Sequence, residues 1–153
     1  MKRTAPWVIG IGVLVGVGPT VQPGYAGEIG KCSLATLKGQ YLFDGSGTLF
    51  PPAFGVTAAS VEASAGYHIF NGDGTGTDYV TFSINGIDQN VPSPVATTYT
   101  LNADCTGTFS VKNGPNFDIF VAVDGSALSV IGTDAGLSYS EVQYRVGPGR
   151  SGP

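Results

Sequence analysis

The sequence predicts an all-β protein: an antiparallel up-and-down barrel of about eight strands with a short N-terminal helix. Three observations carry that expectation. Apolar and polar residues alternate with the strand period of two along Thr77–Ile84, Thr106–Lys112 and Leu137–Val146. Asn-Gly, Asp-Gly and similar turn signals punctuate the chain at short intervals. The runs between them follow one another as hairpins, and closing such a meander into a barrel removes the exposed edges an exported sheet protein must manage. A two-sheet sandwich is the alternative, because strand order alone does not state which strands pair.

The N-terminus reads as a separate segment. Lys2 and Arg3 precede the apolar run Trp7–Gly18, and small residues flank Tyr25 in Gly24-Tyr25-Ala26. This is the pattern of a secretory signal peptide over residues 1–26, cleaved after Ala26. The run is too short for an ordinary membrane-crossing helix, a retained anchor being the alternative. Lys31 stands where a lipoprotein signal before Cys32 needs a small residue. A single barrel domain over 27–146 follows, then a disordered tail over 147–153.

Within the domain, SLATLK (Ser33–Lys38) reads as helix, with Ser33 as cap, Leu34 and Leu37 three apart, and Gly39 as stop. One or two turns there would plug an end of the sheet structure. Strands are expected near 39–44, 60–70, 75–85, 94–102, 106–112, 117–123, 126–133 and 136–146. Asp44–Gly47, Asn71–Gly74, Asn85-Gly86, Ala103–Gly107, Asn113–Asn116, Asp124-Gly125 and Thr133–Gly136 are the turns. Val80, Phe82 and Ile84 oppose Tyr79, Thr81 and Ser83. Phe117–Val123 is apolar on both faces and reads as deeply buried. In the last strand Val142, Tyr144 and Val146 oppose Tyr139, Glu141, Gln143 and Arg145, and the face bearing Glu141 reads as the solvent side.

Seven Lys and Arg stand against eleven Asp and Glu, a formal charge of −4. Losing Lys2 and Arg3 leaves five basic residues, scattered, against all eleven acids. Nucleic acid, and membrane after signal cleavage, are therefore not expected partners. Cys32 and Cys105, an even count in an exported chain, predict a disulfide. Closing that loop stabilises by about 4–5 kcal/mol in the chain-entropy model.

NGDGTGTD (Asn71–Asp78) resembles a binding loop at first reading. As an EF-hand it has Asn71, Asp73, Thr75 and Gly76 in place, but Phe82 stands where the bidentate Glu belongs. As a β-roll calcium repeat it is a single copy, and such sites need stacked copies. A phosphate loop would need a following helix and a lysine. Beside DGSGT (Asp44–Thr48) and DCTGT (Asp104–Thr108) it reads as a shared turn chemistry. No metal and no cofactor is expected. No serine or cysteine sits in a nucleophile elbow, so a catalytic triad is not supported. His68, the sole histidine, and strand residues Tyr79, Tyr99, Tyr139, Glu141 and Tyr144 are the candidates for lining a cavity.

Cys32, Gly39-Gln40-Tyr41-Leu42-Phe43, Phe70–Thr77 and Tyr99-Thr100-Leu101-Asn102-Ala103-Asp104-Cys105-Thr106-Gly107-Thr108 together form a further pattern. It resembles that of a group of small exported bacterial proteins, largely uncharacterised, which look like the allene oxide cyclase-like and lipocalin-like barrel class. The resemblance implies a barrel and a Cys32–Cys105 pairing, and it implies no activity or catalytic residue. Three functions follow as expectations. The lumen of a non-enzymatic barrel holds a small apolar molecule, or a cavity of cyclase or isomerase type orders a reactive substrate, or a filled core serves a structural or surface-interaction role.

Overall fold

Alternation at period two builds nine strands, β1 (Lys38–Leu49), β2 (Ser60–Asn71), β3 (Thr75–Ile84), β4 (Ile87–Asp88), β5 (Val95–Leu101), β6 (Thr106–Val111), β7 (Asn116–Val121), β8 (Ala127–Gly132) and β9 (Leu137–Val146). They are seen in a computed structural model that describes residues 31–147. The expected leader, and the expected tail beyond Gly147, lie outside the described residues. Every pairing is antiparallel. The order runs β2-β1-β9-β8-β7-β6-β5-β3, and pairing of β2 with β3 closes the ring. Eight strands therefore form the barrel, and the sandwich alternative falls. β4 is an extra two-residue strand hydrogen-bonded to β3 through the Asn85-Gly86 hairpin, where both residues take positive φ (51° and 78°).

Three turns share one chemistry. Asp73 Oδ1 accepts from the Thr75 backbone N–H (3.0 Å) and hydroxyl (2.7 Å). Asp104 does the same for Thr106, and Asp124 for Ser126. These bonds favour the ionised form and hold all three carboxyls below their ordinary range. NGDGTGTD thus holds the end of β2, the three-residue turn 72–74 and the start of β3.

DGSG (Asp44–Gly47), expected as a turn, is the middle of β1, which pairs with β2 along its whole length and with β9 from Gln40 through Leu49. Its glycines answer to neighbouring strands rather than to a change of direction. The expected helix is also replaced: Leu34–Thr36 forms one 3-10 turn, and the Ser33 N–H donates to Thr36 Oγ1 (3.0 Å). Gly39 and the start of β1 follow too soon for a further turn. The strand expected over 117–123 buries one face alone: Phe117, Ile119 and Val121 point inward, while Phe120 and Val123 are exposed.

The barrel's two ends differ. At one end the segment 31–37 lies across the opening. Leu37 is fully buried, Tyr99 Oη donates to the Leu34 and Leu37 carbonyls (2.9 and 3.0 Å), and Cys32–Cys105 ties the segment to the β5–β6 turn. Tyr41 Oη donates to the Gly125 carbonyl (2.6 Å) and accepts from the Arg145 guanidinium (2.8 Å). The other end is bordered by the connections after β1, β4, β6 and β8, of which the first two, residues 50–59 and 89–94, are the longest between strands. Among the described residues no helix is long and apolar enough to cross a membrane.

Candidate functional site

The interior face of β9 is the polar one. Tyr139, Glu141 and Gln143 are buried (7, 8 and 1 % exposed), whereas Val142 and Tyr144 face outward (39 and 59 %). The solvent-side reading of Glu141 is overturned. Alternation fixes which residues share a face, and the register against β1 and β8 decides which face is inside.

The site is built around the glycines of β1. Gly45 pairs with Ser64 of β2 on one side and with Glu141 of β9 on the other. A Cβ at Gly45 would collide with the Tyr139 hydroxyl and stand 2.8 Å from Glu141 Cβ. Without it, Tyr139 leans across β1 and its hydroxyl lies 2.7 Å from Ser64 Oγ. The same hydroxyl donates to Glu141 Oε2 (2.6 Å), and Gln143 Nε2 donates to Glu141 Oε1 (2.6 Å). Both oxygens of Glu141 are thereby held, and the chain Ser64–Tyr139–Glu141–Gln143 spans three strands.

Two more acids face the lumen. Glu62 on β2 and Asp78 on β3 are 6 and 7 % exposed, and Glu62 Oε1 and Asp78 Oδ1 have no hydrogen-bonding partner in the protein. Burial, with the nearby Glu141 carboxylate adding to it, raises each to about 7. Glu141 is raised by burial, against the hydrogen bonds from Tyr139 and Gln143 and with the charge of Asp44 adding to the rise. Tyr139 is pushed up by burial first and then by Glu141.

These groups border a cavity of about 450 Å³ that runs from the lumen to the longer loops. Its walls are mostly apolar: Phe43, Val80, Phe82, Phe109, Val111 and Phe117 contribute. Phe54, held at φ 48° in the loop after β1, packs on Phe82 (ring centroids 5.2 Å) at the mouth. Among the described residues Lys112, exposed at the rim, is the one basic side chain on the lining. The volume falls within the range of pockets that hold small organic molecules. No group of three or more His, Cys, Asp or Glu among the described residues is placed to hold a metal ion.

The other candidates separate by location. His68 is fully buried deeper in the lumen, stacked on Phe70 (3.9 Å), with Nε2 2.8 Å from Thr97 Oγ1. Burial lowers its pKa to about 3, so it is neutral and packed. A Cβ at Gly76 would stand 2.8 Å from His68 Nε2, so that glycine makes room for the ring. Tyr99 belongs to the plugged end. Tyr79 and Tyr144 are on the outer surface: Tyr79 stacks on Tyr67 (4.4 Å), its cross-strand partner, and Tyr144 is exposed. Strand parity places both outside, since their neighbours Asp78 and Gln143 point in. Of the six candidates, Tyr139 and Glu141 thus line the cavity. Glu62, Asp78, Ser64 and Gln143 were missed. The parity signal could have found Asp78, because it shares a face with Val80 and Phe82; Glu62 lies in an unpatterned stretch that offers no such signal.

No family model, curated protein or solved structure matches this chain.

Proposed function

We propose that the protein is an exported binding barrel that takes a small, largely apolar molecule through its open end, with the acids of the lumen facing the molecule's polar part. The single observation that carries the reading is the cavity of about 450 Å³, apolar in its walls and bordered by buried carboxyls with unpartnered oxygens. A filled-core structural role accounts for neither feature. The disulfide supports a secreted or periplasmic location.

The test is native mass spectrometry of protein purified from its own producer, together with titration of an uncharged, polarity-sensitive fluorophore. The expected result is a co-purified molecule, or saturable fluorophore binding that Val80→Trp and Val111→Trp abolish by filling the cavity. Ligand-free protein that also fails to bind the fluorophore overturns the reading.

The cyclase or isomerase reading has one observation in its favour, the Tyr139–Glu141 pair beside an acid raised to about 7. Glu62 would serve as the proton acceptor, because both Glu141 oxygens are already bonded. Turnover of the co-purified molecule, lost in Glu62→Gln with binding retained, distinguishes this reading from simple binding.

A further inference from the structure

Resting on that reading, we infer that the lumen is selective for organic cations, specifically amines with an apolar body. The argument begins with what the cavity leaves unsatisfied. Glu62 Oε1, Asp78 Oδ1 and Gln143 Oε1 are buried without partners, and all three are acceptors once the carboxyls are ionised. Gln143 cannot turn its amide to help, because its Nε2 is committed to Glu141. Each of the three side chains is more than nine-tenths buried and lines the cavity. What the lumen lacks is donors and positive charge, and an ammonium group supplies three donors, one charge and no acceptor.

The alternatives fit less well. An anion such as a fatty acid would add a further negative charge beside Glu62, Asp78 and Glu141 without supplying a donor. A neutral hydrocarbon would fill the walls and leave the buried acceptors unpaired. A metal ion needs several ligands converging on one point, and these carboxyls do not converge. Carboxyls spread around an aromatic-walled cavity suit a cation large enough to bring its own apolar surface. Phe43, Phe82, Phe109 and Phe117 line the cavity and supply apolar surface to that body, and the face of an aromatic ring attracts a cation.

The charged and titratable groups around the cavity agree in sign. Glu62 comes from β2, Asp78 from β3, and Glu141 with Tyr139 from β9; Asp44 on β1 adds negative charge from outside. His68, deeper in the lumen, stays neutral down to about pH 3. Lys112 at the rim is the opposing charge, and it is exposed to solvent, where its effect is screened.

The experiment compares three probes of nearly one shape by calorimetry: phenethylamine, phenethyl alcohol and hydrocinnamate. At about pH 8 the amine is expected to bind at least about tenfold more tightly than the alcohol, and the acid more weakly than either. Lowering the pH to about 5 protonates the carboxyls and should shrink the amine-to-alcohol ratio several-fold. In the Glu62→Gln, Asp78→Asn double variant the ratio should approach one. If that variant does not fold, the pH series on the wild-type protein decides alone. An amine that binds no better than the alcohol, while the uncharged fluorophore still enters the cavity, overturns the inference and leaves the binding reading standing. Failure of every probe, fluorophore included, overturns both.

Discussion

From Leu37 to Phe109 the barrel interior is filled ring against ring; from Phe109 to the longer loops the same barrel encloses a cavity bordered by acids. In the filled half Tyr41 and Tyr99 meet Phe70 edge-on (5.2 and 5.1 Å), His68 stacks beneath it, and Phe109 continues the column. In the other half Phe109 passes to Phe117 and Phe117 to Tyr139, but the rings there wall a space. Even the polar groups follow the division. The filled half keeps its histidine neutral by burial, whereas the cavity half holds two carboxyls, Glu62 and Asp78, raised to about 7. One half supplies the rigidity that lets the other remain unfilled. A binding site on strands is positioned more firmly than one on loops, and the plugged end is what keeps these strands in place.

The sharpest test of that division is truncation. Phe70→Ala should cost about 3–5 kcal/mol, because Phe70 is 1 % exposed and touched by four rings, and its loss leaves an enclosed hole. Phe82→Ala should cost less than half as much, since it enlarges a space that already exists. Urea unfolding of the two variants reads the difference, and equal losses would mean that the two halves pack alike. Next in size is the staple: Cys32→Ser with Cys105→Ser should cost about 2–5 kcal/mol by releasing the plug. Fluorophore affinity measured where the variant is still folded should change little, because the cavity lies at the far end.

A smaller effect probes the glycine gap. Gly45→Ala sets a methyl group against the Tyr139 hydroxyl and should cost about 1–3 kcal/mol. Loss of the Ser64–Tyr139–Glu141 bonds should also appear in the near-ultraviolet spectrum of the tyrosines. Unchanged stability together with an unchanged spectrum would show that β1 has slack at this point.

The same glycines explain where the sequence was legible and where it was not. The boundaries from β2 onward followed from local chemistry: Asp73, Asp104 and Asp124 each bond their own turn, and Asn85-Gly86 takes the backbone angles a two-residue hairpin needs. Local rules sufficed because local contacts hold those turns. Asp44–Gly47 has the same composition but a different cause, since Gly45 is required by a side chain nearly a hundred residues away. Leu34–Thr36 likewise carried a helix pattern that the plug uses for a single turn. The candidate site suffered for a related reason. The rule that the polar face is outside holds when the interior is apolar, and a lumen that retains Glu62, Asp78, Glu141 and Gln143 reverses it on β9.

The pH dependence of stability sets the two halves against each other and is the smallest of these effects. Glu62 and Asp78 have folded-state pKa values near 7, above those of the unfolded chain, so the native state binds more protons. Their contribution is fully present below about pH 4 and is lost as the pH rises through about 7. His68 works in the opposite sense. Its folded pKa of about 3 lies below the ordinary 6.5, so its contribution is present above 6.5 and lost as the pH falls. Between about pH 6.5 and 8 the two carboxyls outweigh the histidine, whose opposing slope has faded by about 7.5. Stability should rise as the pH is lowered across that window, and below about 6.5 the rise should slacken as His68 opposes it. The turn carboxyls Asp73, Asp104 and Asp124, held low by their own hydrogen bonds, enter below about pH 4. Urea midpoints across this range read the slope directly. Glu62→Gln with Asp78→Asn should flatten the upper window and raise stability at pH 8, and His68→Asn should leave that window sloped. A wild-type protein whose stability falls from pH 8 to 6.5 would mean that the lumen acids are stabilised as carboxylates, and that the cavity half is not held near neutrality by burial.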